Sequence, residues 1–121
     1  MNPTIEETHA DMVAALIKEG HHIMNEMSPR KAALIHDAFG IAGEAGELLD
    51  AIKKHTIYNQ ELNRTNVIEE LGDLEFFMQD LRESLNLTRS EVLSANIAKL
   101  TKRYPSMSFS NEAAEKRADK S

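Results

Sequence analysis

The sequence predicts an all-α fold, a four-helix, up-and-down bundle-like domain completed by homo-oligomerisation. Three observations carry this reading. Leu, Ala, Met and Ile outnumber the aromatic residues in a chain of 121 residues that has no Trp, and Ala, Leu and Met are strong helix formers. Leu34, Ala38, Ile41, Ala45, Leu48 and Ile52 recur at alternating spacings of four and three, the stripe of a helix packed on a neighbour. Ser28-Pro29 and Thr88-Arg89-Ser90-Glu91 are strong local signals for a helix start.

Each element follows in turn. The first helical segment runs from about Thr4 to Glu19, with acids in its first turn and a break or kink expected at Gly20. A second helix begins at Ser28-Pro29, a Ser cap followed by Pro at the first helical position, and ends near His55. The polar stretch from Asn59 to Thr65 reads as a loop. Asn66, with Glu69 three residues on, resembles a loose capping box, and Val67, Leu71, Leu74, Met78, Leu81 and Leu85 then form one stripe. Thr88 and Glu91 cap a last helix whose Val92, Leu93, Ile97, Leu100 and Tyr104 are expected to face inward, and Pro105 stops it. Residues 1–110 form one domain in this reading, and residues 111–121 a weak helix or disordered tail.

Charge and composition remove several classes of function. A net charge of −6 argues against a broad basic surface for nucleic acid, whose binding needs many Lys and Arg contacts to phosphate. The chain has no Cys, so disulfides, Cys-ligated zinc and thiol nucleophiles are absent together, which suits a reducing compartment. No apolar run approaches the roughly 20 residues that span a bilayer, and the acidic start lacks a basic n-region. No membrane partner is expected, and the address expected is cytoplasmic.

Two pairs of acids stand out in otherwise apolar helical stretches: Glu44 and Glu47, and Glu70 and Asp73. An i,i+3 pair shares one helix face, where like charges repel by a few tenths of a kcal/mol. Two such pairs on adjacent antiparallel helices would converge as four carboxylates, the oxygen ligands that Mg2+ prefers. Spacing alone is weak, because Asp80/Glu83 and Glu112/Glu115 have the same interval. Surroundings distinguish the first two. Gly40, Gly43 and Gly46 lie along the first pair's helix, each costing about 1 kcal/mol relative to Ala. They read either as a strip left bare for a ligand or a second helix to approach, or as a close-packing or kink position. Positive charge comes from Lys99 and Arg103, on one stripe with Asn96, and from Lys54; His36 and Lys54 fall on the face of Glu47. Such cations bind the phosphate oxygens that a metal leaves uncovered.

In order along the chain, Gly43–Asp50, Glu69–Asp73 and Asn96–Pro105 resemble the MazG-like family of all-α nucleoside triphosphate pyrophosphohydrolases. That family's signature is an ExxE pair, a loop, an ExxD pair, then Lys and Arg four apart on the next helix. The resemblance covers about residues 30–105. It implies Mg2+-dependent hydrolysis of a (d)NTP to the monophosphate and pyrophosphate, with Mn2+ as a substitute, in nucleotide-pool house-cleaning. On the matching positions Glu44, Glu47, Glu70 and Asp73 would hold metal, Lys99 and Arg103 would hold phosphates, and Glu47 would contact the attacking water. A homodimer or dimer of dimers is implied as well. Two positions depart from the fuller pattern: Gly43 where a second acid opens the first motif, and Asn66 where a basic residue often stands.

Competing readings are phosphoribosyl-ATP pyrophosphohydrolase or dUTPase-like activity in the same superfamily, and a non-catalytic helical interaction module. A di-iron bundle is suggested by Glu6-x-x-His9 and Glu19-x-x-His22, but both copies lie in one segment, whereas that plan needs two facing helices.

Overall fold

A computed structural model describes residues 1–120. Among them the chain is helical throughout, with no strand: α1 Ile5–Leu16, α2 Gly20–Glu26, α3 Pro29–Thr56, α4 Arg64–Ser84, α5 Arg89–Arg103, α6 Asn111–Lys116 and a 3-10 turn at Ala118–Lys120. Two compact units are distinguished, Met1–Ala32 and the part from Ala33 onward.

In the first unit the Thr4 hydroxyl accepts from the Glu7 backbone N–H and caps α1, placing Glu6 and Glu7 in the first turn, where the helix dipole favours them. The break comes at Leu16, before Gly20, so the first helix ends three residues earlier than its pattern suggested. Gly20 opens α2 instead of interrupting α1. The Lys18 ammonium bridges to Glu26 across α2, and Lys31 donates to the Glu26 carbonyl at 3.1 Å.

The second unit is organised by α4 and by α3 from Ala33 onward, the first turn of α3 belonging to the first unit. Ser28 accepts from the Lys31 N–H at 3.1 Å, and Pro29 begins α3 as expected. The helix runs unbroken through Gly40, Gly43 and Gly46 to Thr56. Its exit is an ordered turn: Asn59 adopts φ 54°, the His55 ring meets the Gln60 carbonyl at 2.8 Å, and Lys53 lies over the Tyr58 ring. The cap of α4 is Asn63, whose side chain accepts from the Asn66 N–H at 3.0 Å. Asn66, expected to be the cap, is thus the donor inside the first turn. At the far end Asn86 takes φ 58°. The Leu87 N–H donates to the Arg82 carbonyl and the Asn86 N–H to Glu83, a Schellman closure that turns the chain into α5. There the Thr88–Glu91 capping box forms in full.

The buried stripe differs from the expected one by a residue. On α3 the positions withdrawn from solvent include Leu34, Asp37, Ile41, Glu44, Leu48 and Ala51; Ala38, Ala45 and Ile52 are exposed. On α4 they include Val67, Glu70, Leu74, Phe77, Leu81 and Ser84, whereas Leu71 and Leu85 are exposed. Both series step by three and four in heptads, and acids occupy three of these inner positions. The physical reason for the shift is that a reading by hydrophobicity passes over Asp37, Glu44 and Glu70 and chooses their apolar neighbours. The apolar residues of α5, expected inward, are exposed at Val92, Leu93, Ile97 and Leu100.

The register between α3 and α4 is fixed by Gly40. A Cβ placed there would lie 2.4 Å from the Phe77 ring, while nothing stands within 4 Å of one at Gly43 or Gly46. Gly40 is therefore a close-packing position, and the other two leave bare helix. No glycine among the described residues has a positive φ, so none is there to make a turn. Gly40→Ala should lower the melting temperature despite Ala's better helix propensity, because the Phe77 ring has to move. Gly43→Ala and Gly46→Ala should each raise stability by up to about 1 kcal/mol, read by thermal melting of the three variants beside the parent protein.

Candidate metal centre

Acids on the inner stripe meet acids across it. α3 ascends while α4 descends, so Asp37 lies against Asp80, Gly40 against Phe77 and Glu44 against Glu70. Glu44, Glu70 and Asp73 each bring a carboxylate oxygen within 4.8 Å of the other two. Glu70 Oε2 is buried with no hydrogen-bond partner. Burial, reinforced by contact with Glu44 and by the charges of Asp73 and Glu47, raises the Glu70 carboxyl above its ordinary range.

This arrangement fits a divalent cation. Three hard oxygen donors converge, one buried oxygen is unsatisfied, and no Lys or Arg among the described residues forms an ion pair with any of the three. A cation would cancel the mutual repulsion and complete the coordination of the orphaned oxygen. Glu47 is exposed and close enough to add to the negative potential at Glu70, but it stands outside the tight trio.

The basic and polar residues named from the sequence are placed elsewhere. Lys54 pairs with Asp50 one turn back at 3.1 Å. His36 is exposed and meets the Phe77 ring edge-on, 5.8 Å between centroids, nearer to Asp37 than to the trio. Asn96 is exposed on α5. Arg103 grips Asp119 with two hydrogen bonds, Nε–Oδ1 at 2.9 Å and Nη2–Oδ2 at 3.3 Å. Its side chain is only 18% exposed and that of Asp119 5%. Lys99 adds a favourable charge beside the same carboxylate. Lys99 and Arg103 therefore share an anion, and that anion belongs to the 3-10 turn following α6.

Two features escaped the sequence reading. Asp37, buried on the inner stripe, lies seven residues before Glu44 and faces Asp80. The signal was an acid in phase with the heptad, hidden because its partner is on another helix. Asp119 was hidden by its separation of sixteen residues from Arg103.

The sequence matches the MazG nucleotide pyrophosphohydrolase domain family over residues 38–108, a span that includes the trio, Glu47, Lys99 and Arg103. The chain belongs to that family. No match is found among curated proteins or among solved structures. No helix among the described residues is long and apolar enough to cross a membrane.

The Arg103–Asp119 pair makes the end of the chain acid-sensitive. The Arg103 hydrogen bonds hold the Asp119 carboxyl below its ordinary range, so its contribution to folding is complete above about pH 4, the unfolded carboxylate value, and is lost as pH falls through the lowered folded value. Protection of the backbone amides across Asn111–Lys120, taken relative to the intrinsic exchange rate at each pH, should be high at neutral pH and fall in acid before that of the rest of the second unit. Asp119→Asn should show the low protection at every pH.

Proposed function

We propose that this chain is a Mg2+-dependent nucleoside triphosphate pyrophosphohydrolase, with Mn2+ as a substitute, converting a (d)NTP to the monophosphate and pyrophosphate in cytoplasmic nucleotide-pool house-cleaning. The observation that supports it is the Glu44–Glu70–Asp73 trio with its orphaned Glu70 oxygen, lying within the span of the family match.

In this reading Glu44, Glu70 and Asp73 hold the cation. Bound there, Mg2+ supplies positive charge to the phosphate oxygens and acidifies a water. Glu47, exposed beside the trio, accepts the proton of the water that attacks the α-phosphate. Lys99 and Arg103 bind phosphate oxygens and neutralise the departing pyrophosphate. Because Asp119 already occupies Arg103, that role exchanges one anion for another, leaving the charge of the basic pair balanced in both states. His36, Asn96 and Lys54 complete the substrate's surroundings, Lys54 by leaving Asp50.

The same proposal includes self-association. Phe39 and Leu49, 69% and 67% exposed, flank the bare strip at Gly43 and Gly46 on α3, where a second copy's helix can approach the backbone closely. Apolar surface of that kind on a small domain marks a contact surface. Aromatic and aliphatic side chains beside small residues suit helix-on-helix packing.

Pyrophosphate release from a panel of standard and modified (d)NTPs at millimolar Mg2+ tests the activity. At least one should turn over, and Glu47→Gln or Asp73→Asn should reduce the rate by about a hundredfold or more without shifting the melting temperature downward. If no nucleotide in the panel releases pyrophosphate, the reading is wrong. For assembly, light scattering should give a multiple of the 13.6 kDa chain mass, and Phe39→Asp should shift the protein toward the monomer.

A further inference from the structure

A cavity of about 430 Å3 lies two helical turns from the trio, bounded by His36 and Asp37 of α3 and by Phe76, Phe77, Gln79, Asp80 and Glu83 of α4; the Gln79 amide is engaged, donating to Glu83 and accepting from Arg82. Its volume is that of a small-molecule pocket. Asp37 is 2% exposed, and its Oδ2 atom is buried with no hydrogen-bond partner. The charged groups facing it are Asp80, which presses against it, and His36; no Lys or Arg lines the cavity. Burial and the contact with Asp80 raise the Asp37 carboxyl above its ordinary range.

An unsatisfied buried oxygen destabilises the fold, and a Leu at this inner position would pack without that cost. The oxygen is therefore better explained by what it can receive. A metal ion alone has no use for two phenyl walls, whereas a flat heteroaromatic ring with a hydrogen-bond donor on its edge matches both the rings and the acceptor. The distance agrees as well. Seven residues along the same helices separate Asp37 from Glu44 and Asp80 from Asp73, about 10 Å at 1.5 Å per residue, comparable to the reach from the α-phosphate of a nucleotide to the far edge of its base.

We propose that this cavity receives the nucleobase and that Asp37, braced by Asp80, accepts a hydrogen bond from an exocyclic amino group. The substrates are then cytosine, adenine or guanine nucleotides in preference to those of uracil or thymine. The placement of the phosphates at the trio rests on the hydrolase reading above. A carbonyl oxygen in place of the amino group would face Asp37 Oδ2 lone pair to lone pair, leaving both unsatisfied. Asp37 is in this sense a specificity-determining residue, outside the chemistry at phosphorus.

The test is binding of free nucleosides by NMR, at millimolar concentration with divalent metal removed by a chelator. Cytidine should bind about tenfold more tightly than uridine, and guanosine than inosine, which lacks only the amino group. Asp37→Leu should bring each ratio to within about twofold while melting at or above the temperature of the parent protein, and Asp37→Asn should narrow it. A merely structural role for Asp37 would change both members of a pair alike and leave the ratio intact. Equal binding of cytidine and uridine, an unchanged ratio in Asp37→Leu, or no binding of any nucleoside overturns the inference. The two readings separate cleanly. Hydrolysis of CTP and UTP at equal rates, unaffected by Asp37→Leu, removes the base pocket and keeps the hydrolase. An Asp37-dependent nucleoside preference with no triphosphate turned over keeps the pocket and removes the hydrolase.

Discussion

Carboxylates on the inner stripe between α3 and α4 are the constraint on which the rest of this molecule turns. A pair of helices of this length could have been held by Leu and Ile throughout. Here Asp37, Glu44 and Glu70 take inner positions, and each lies against another carboxylate across the stripe. Like charges withdrawn from water repel, and neither hydrogen bonding nor a basic neighbour relieves them fully. Stability given up at such positions is characteristic of functional sites. Apolar burial is correspondingly thin: Ala51 is the buried hydrophobic residue among those described, and many large side chains face outward. The same feature accounts for the convergence of Glu44, Glu70 and Asp73 and for the thin apolar core.

Local signals in the sequence were read well because local physics controls them. Pro29 and the Thr88–Glu91 box each settle a helix start within one turn, and Pro105 ends α5 at Arg103 in the same way. Errors appeared where two local solutions compete or where a distant residue decides. Asn63 and Asn66 are both competent caps, and the loop after α3 selects Asn63. Hydrophobicity alone places the inner stripe of α3 one residue off, because it cannot say that an Asp lies inside and an Ala outside. The ExxE and ExxD acids were legible because each pair is contained in one helix. Asp37 with Asp80, and Arg103 with Asp119, were not, since each pair exists only once the chain has folded back.

Arg103 illustrates how a residue can be recognised while its surroundings are not. The family match includes it, and its position on α5 beside Lys99 follows from simple helical spacing. Its grip on Asp119 depends on α6 and the 3-10 turn, which composition had marked as weakly ordered. The hydroxyl of Ser110 accepts from the Ala113 N–H, and Arg117 at φ 48° closes α6, so a short, well-capped helix delivers Asp119 to a guanidinium that presents a fixed fork of donors.

The contact between Gly40 and Phe77 has a meaning beyond its own packing. Inner stripes built on a heptad are open to slippage, since moving one helix by seven residues returns leucine to leucine, and here it would also return acid to acid. Such a slip of α4 along α3 would carry the Phe77 ring from Gly40 to the level of Ala33 or Glu47, both of which carry a Cβ where the ring needs open space. One missing methyl group thus excludes the misregistered pairings that the repeating acids would otherwise tolerate, and the distance between the two carboxylate layers becomes a fixed property of the fold.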